Sequence, residues 1–294
     1  MNWLLFALSA YFLNAVATTV DSILLRRRIP EPLTYTTYVG LVSIFALVLA
    51  PWGFGVPSAG LAVLSILTGC VFLGSLAVIF QLLKSFEPSR SAAVAGTATV
   101  LILLAAERLL MGTTFTSAEL AAVVLLLGGI FLLTHRSSGA AQRGRFMRLT
   151  LAAGGLGALY LFLAKIVFGA LGFVNGFIWT RLGAFLGALV LWLVLRLRGR
   201  GEPMPAASAL VLANRTVAGV GSVLMNGAVA LASPALVSAL RGSEYAFLFL
   251  LAFALSAFAP QLLQEELRAK RVVEKIAGLV SVAFGLALLT FGKP

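Results

Sequence analysis

Arg241 and Glu244 stand three positions apart, with Tyr245 next, inside an otherwise apolar run from Pro234 to Phe258. A guanidinium is a planar fork of donors that grips carboxylate or phosphate, and a carboxylate beside it can bind and release a proton. Either group costs about 2.5–3.5 kcal/mol at the centre of a membrane helix on insertion scales, so a function or a partner is expected to retain it. Three further basic residues, Lys165, Arg181 and Arg215, also fall inside apolar runs, as does the acidic Asp21, with Glu107 near the end of another.

Spacing groups these residues. Ser238, Arg241, Glu244 and Tyr245 follow i, i+3, i+6, i+7; Arg215, Gly219, Ser222 and Asn226 follow i, i+4, i+7, i+11; Tyr11, Asn14, Thr18 and Asp21 follow i, i+3, i+7, i+10. Each set makes one stripe on an α-helix. Three polar stripes on apolar helices are expected to line one aqueous cavity. Arg241, Glu244, Tyr245, Arg215, Arg181, Lys165, Asn14, Asn226 and Ser222 are the candidate substrate-binding residues, with Glu244 and Asp21 as candidate coupling carboxylates. Structural readings stand beside this one. Arg241 and Glu244 have each other as partners on one helix face, Lys165 has the membrane interface within snorkelling reach, and Asn175 and Asn214 lie near Arg181 and Arg215.

The elements that must hold these residues are helices. The chain has 294 residues, 61% hydrophobic and only 11% charged, with a mean hydropathy of +1.04. Soluble domains run near a quarter charged. Ten apolar runs, 2–25, 33–51, 58–83, 89–111, 116–134, 150–171, 173–197, 206–231, 234–258 and 272–291, approach the roughly 20 residues that a membrane helix needs. They do not alternate as barrel strands do. The expected fold class is an all-α integral membrane protein of ten transmembrane helices.

The net charge of +12 would prompt a nucleic-acid reading in a soluble protein, but its placement excludes that here. Basic residues fill the segments after the odd helices: Arg26–Arg28; Lys84 and Arg90; Arg136, Arg143, Arg145 and Arg148; Arg196, Arg198 and Arg200; Arg268, Lys270, Arg271 and Lys275. The other side holds Arg108 and Lys293. The positive-inside rule puts the odd loops in the cytoplasm and both termini outside, for a multi-pass protein of the plasma or inner membrane. The first run has its basic residues after it, the reverse of a cleavable signal peptide. In this topology Lys165, Arg181 and Arg241 fall in the outer half, Glu244 near the midplane and Arg215 slightly to the cytoplasmic side. A basic mouth above a carboxylate floor is expected.

The longest polar stretch, "THRSSGAAQRGRFMR", separates five helices from five, giving repeats at 1–134 and 150–294 around a cytoplasmic linker at 135–149. "SFEPSRSAAV" opens the fourth helix and "LASPALVSAL" the ninth, each with proline in the first turn. An odd-numbered repeat enters the membrane from opposite sides, so the halves are expected to be inverted, as in many transporters. The closing segments, "MGTTFTSAELAAVVLLLGGIFLL" (111–133) and "PQLLQEELRAKRVVEKIAGLVSVAFGLALL" (260–289), resemble the repeat ends of the drug/metabolite transporter superfamily, in its EamA-like branch. The chain departs from that family in having Thr113 at the first corner, where Glu265 or Glu266 fills the second, and in a charge pattern that places both termini outside. The resemblance implies ten helices in two inverted repeats and transport by alternating access.

The leading expectation is a secondary transporter for a small anionic or zwitterionic metabolite. A flippase for a lipid-linked phosphate is an alternative, and an integral membrane enzyme acting on a lipid phosphate a second one. The chain offers a lone Cys70 and a lone His135, no acidic pair at metal-ligand spacing and no nucleotide motif. Neither enzymatic activity nor a metal or cofactor is expected; the expected partners are membrane lipid and a small-molecule or lipid-phosphate substrate.

Overall fold

The computed structural model describes residues 2–27, 31–111, 116–134, 140–199, 209–232, 237, 240–258 and 269–291. All secondary structure among them is helical. The α-helices are α1 (Asn2–Arg27), α2 (Pro32–Val42), α3 (Ala59–Ser85), α4 (Pro88–Met111), α5 (Ser117–Thr134), α6 (Ala140–Leu171), α7 (Phe173–Leu197), α8 (Ala209–Leu231), α9 (Gly242–Phe258) and α10 (Ala269–Phe291). A 3-10 segment, Ser43–Trp52, continues α2. Six of these spans, α1, α2 with its 3-10 continuation, α3, α4, α6 and α7, are long and apolar enough to cross a membrane. α5 and α9 are apolar but shorter. Large apolar side chains such as Trp52, Val124, Phe131, Val190 and Phe284 face outward, as a surface solvated by lipid requires. The molecule reads as membrane-spanning.

Local sequence sets the helix ends. Pro32 opens α2 and Pro88 opens α4, where a missing N–H is harmless. Thr116 and Glu119 form a reciprocal capping box at α5: the Glu119 N–H donates to Thr116 Oγ1 at 3.3 Å, and the Thr116 N–H to Glu119 Oε2 at 3.0 Å. Arg108 of α4 pairs with the same carboxylate and ties the corner. Only Gly172 separates α6 from α7, at φ +73, a conformation that glycine adopts without strain.

Two boundaries differ from the sequence expectation. α6 begins at Ala140, so much of the expected linker is helix; its residues include good helix formers, and Phe146 is fully buried there. α9 begins at Gly242, eight residues after the start of the ninth apolar run. Arg241 therefore lies in the turn before α9, and Glu244 lies in the first helical turn rather than near a helix centre. Ser238, Thr113, His135 and the Glu265–Glu266 pair lie outside the described residues.

Helix packing follows a pattern. α1 runs along α8 and α6 along α3; α4 packs on α6 and α9 on α1; α4 meets α5 and α9 meets α10; α2 packs on α7, α5 on α10 and α4 on α9. Every pair returns to a pair in this set when each helix is exchanged for the one five places away. The exchange is not complete: α6 packs on α7 while α1 and α2 barely touch, and the widest departure is at another seam. α3 and α7 pack closely along their length, whereas α2 and α8 barely touch. The α3–α7 approach depends on glycine: a methyl at Gly69 would strike the Thr180 carbonyl, and one at Gly183 the Ile66 backbone.

Candidate functional site

A cavity of about 780 Å³ lies inside the bundle, lined by α1–α4, α6–α8, the 3-10 segment, Arg241 and Glu244. Most of its wall is apolar, from residues such as Phe72, Leu76, Ile79 and Leu161. Polar groups enter at three places.

Asp21 of α1 is the centre of the first. It pairs with Arg215 of α8, accepts from Asn214 Nδ2 at 2.6 Å, and accepts from the Tyr35 hydroxyl of α2. Asn214 also donates to the Ala17 carbonyl at 3.3 Å, and the Arg215 guanidinium lies 5.1 Å from the Tyr35 ring centre. Both charges are buried and line the cavity. A buried ion pair needs such additional hydrogen bonds to offset its desolvation.

Arg181 of α7 is the second. It is 7% exposed, and its guanidinium carbon stands 4.0 Å from the Phe72 ring centre and 4.9 Å from that of Phe177. It donates to Ser222 Oγ of α8. Asn226 donates to the same oxygen at 3.3 Å and to the Ser222 carbonyl at 2.7 Å, while the Tyr160 hydroxyl of α6 donates to Asn226 Oδ1 at 2.6 Å. Two donors meet at the Ser222 oxygen, so Arg181, Ser222 and Asn226 form one polar cluster at the cavity wall. No carboxylate among the described residues pairs with Arg181. Aromatic faces stabilise a guanidinium without neutralising it.

The third is Arg241 with Glu244. Arg241 Nε and Glu244 Oε2 are 3.9 Å apart, a loose pair compared with the 2.7–2.9 Å of a charge-assisted hydrogen bond. Tyr11 of α1 stands beside Arg241 and donates its hydroxyl to the Val237 carbonyl at 2.6 Å. Glu244, in the first turn of α9, has the helix amides nearby.

The cavity thus gathers Asn14, Asp21, Arg181, Arg215, Ser222, Asn226, Arg241 and Glu244. Two expected site residues stand elsewhere. Lys165 is outside the cavity lining; its ammonium donates to the carbonyls of Val229 (3.1 Å), Ala230 (3.2 Å) and Ala232 (3.0 Å), capping the end of α8. The last carbonyls of a helix lack intrahelical partners, and a cation suits them. Tyr245 is buried against Gly96 of α4, where the missing side chain makes room for its phenol. The single carboxylate floor is also corrected, because the wall carries two carboxylates, each beside an arginine. Tyr35, Asn214, Tyr160 and the Phe72–Phe177 pair are contributors that spacing did not select. The polar run "TYTTY" (34–38) was a signal for the first of them.

Among the described residues no group of three or more His, Cys, Asp or Glu is placed to hold a metal ion. Cys70 packs toward the Gly183 carbonyl at 3.6 Å.

No protein-family model and no curated protein matches the chain. A solved structure described as "Crystal structure of protein" superposes with a TM-score of 0.60 at 18% identity, covering 97% of this chain and 94% of its own. That likeness extends the shared fold over nearly the whole length.

Proposed function

We propose that the protein is a secondary transporter of the plasma or inner membrane, of drug/metabolite transporter type, moving a small anionic or zwitterionic metabolite. Two inverted five-helix halves alternate access to the central cavity, and both termini lie outside the cytoplasm. The observation that carries the substrate charge is Arg181, a buried guanidinium at the wall of the cavity that pairs with no carboxylate among the described residues. Around it the charge is three arginines against two carboxylates, Asp21 and Glu244. Such a cavity favours an anionic group and disfavours a bare organic cation.

The inverted repeat is supported by the exchange of packing partners five helices apart. It is supported again by a shared device. Arg26 of α1 donates to the carbonyls of Leu83 (3.3 Å) and Phe86 (2.6 Å) at the end of α3, as Lys165 of α6 does at the end of α8. In each half a cation on the first helix caps the third. Glu244 is the better coupling carboxylate, because its pair with Arg241 is loose while Asp21 is held by three donors.

The test is stabilisation of the purified protein by a panel of carboxylated and phosphorylated metabolites, with Arg181→Gln in parallel. A ligand at about a hundred times its Kd adds about 2.7 kcal/mol of stability. Stabilisation by anions that Arg181→Gln removes is expected. Stabilisation by organic cations, equal in both proteins, would overturn the reading.

A further inference from the structure

The seam that departs most from the five-helix exchange also borders the cavity. On the α3–α7 side, glycine lets the backbones meet and the wall is sealed. On the corresponding α2–α8 side, Phe45 and Val48 of the 3-10 segment line the cavity yet are 65% and 66% exposed. On α8, Leu212 and Val220 line the same cavity and are 56% and 50% exposed. Apolar side chains that line the cavity and keep half or more of their surface accessible mark this as the open part of its wall. None of the ten residues of the 3-10 segment is buried, and 3-10 runs beyond about four residues are uncommon.

The chemistry changes sharply across this gap. Its rim is apolar, and the cavity it borders holds Arg181, with its aromatic supports and its bond to Ser222. A water-soluble anion has no use for an apolar slot facing hydrocarbon, and charged groups open to a bilayer are costly. An amphiphile uses both parts. We infer that the α2–α8 gap is a lateral portal for a membrane amphiphile whose anionic phosphate or carboxylate head is held at Arg181 while its hydrocarbon tail passes between Ser43–Trp52 and α8 into the lipid. This inference rests on the proposed anion-binding cavity and narrows its substrate to one that remains membrane-bound. Burial of a tail in the slot adds about 0.8 kcal/mol per methylene that would otherwise meet water, so the head alone is bound more weakly from solution than the whole amphiphile.

Gly219 supplies a clean test. It lines the cavity, and a Cβ added there meets nothing within 4 Å, so Gly219→Trp has room to start and puts bulk on the α8 side of the gap. The full-length protein in nanodiscs of phosphatidylcholine is photolabelled with a hexadecyl phosphate carrying a diazirine in its tail, and the labelled peptides are mapped by mass spectrometry. In parallel, thermal stabilisation by butyl phosphate reports the cavity without the portal. Labelling is expected on residues 43–52 and 212–223, falling about tenfold, the equivalent of 1.4 kcal/mol, in both Gly219→Trp and Arg181→Gln. Stabilisation by butyl phosphate is expected to vanish in Arg181→Gln. Unchanged labelling in Gly219→Trp, or labels spread over the lipid-facing surface, overturns the portal. If butyl phosphate binding still depends on Arg181, the anion cavity stands without it. Absence of both labelling and stabilisation removes the cavity reading and the portal together.

Discussion

Asp21→Asn is expected to be among the most damaging single changes inside the bundle. The carboxylate receives Tyr35, Asn214 and Arg215. The asparagine that replaces it keeps an acceptor oxygen but no charge. Arg215 then remains as a guanidinium whose side chain is only 6% exposed, with no anion beside it. Breaking a buried pair by removing one partner costs about 3–5 kcal/mol. At about 2–4 °C per kcal/mol for chains of this general size, the apparent melting temperature falls by about 6–20 °C. The assay is the loss of monodisperse protein on size exclusion after heating detergent-solubilised samples. The double variant Asp21→Leu with Arg215→Met removes both charges together and is expected to recover most of the loss, since an apolar replacement of a whole buried pair is often neutral. If Asp21→Asn melts within about 2 °C of the wild type, or the double variant is no more stable than the single one, the pair does not act as a closed unit and the argument fails.

Other outcomes follow from the same geometry. Lys165→Met is expected to lower stability by about 2–4 kcal/mol, because three carbonyls at the end of α8 lose a charged donor; ligand selectivity, read by the anion panel, should not change. Gly69→Leu is expected to abolish folded protein, as judged by membrane yield and gel filtration, since the α3–α7 backbones have no room for a side chain. Glu244→Gln in proteoliposomes is expected to eliminate accumulation driven by a proton gradient while leaving substrate exchange, and undiminished accumulation would remove Glu244 as the coupling group.

Much of the helical frame could be read from the chain, because long apolar runs have few alternatives. The run at 173–197 reappears as α7 with the same limits. Residues 140–149 were harder. Their arginines suggested a linker, and the sign of a helix was Phe146, whose ring meets Phe86 across the bundle at 4.9 Å between centroids. The stripe on α8 was legible since Arg215, Ser222 and Asn226 all reach the cavity. What periodicity could not supply was the partner. Lys165 finds its acceptors more than sixty positions along the chain, and Arg181 has one local support, Phe177 a turn earlier on α7, and one distant one, Phe72 of α3. Arg241 was misplaced for a related reason: an apolar composition continues through the break before Gly242, so hydropathy ran straight across a backbone turn.

The single glycine between α6 and α7 has a mechanical meaning. One residue contributes two soft torsions, too few to let the joined ends separate, so at that end the two helices form one bracket. Tyr160 sits on one arm and Arg181 on the other, with Asn226 and Ser222 bridging between them. A rocking motion that carries α7 must therefore carry α6 at the elbow as well. Under the proposed alternating access, Tyr160 and Arg181 would then move together near that elbow, and the opening and closing would fall to the parts around them.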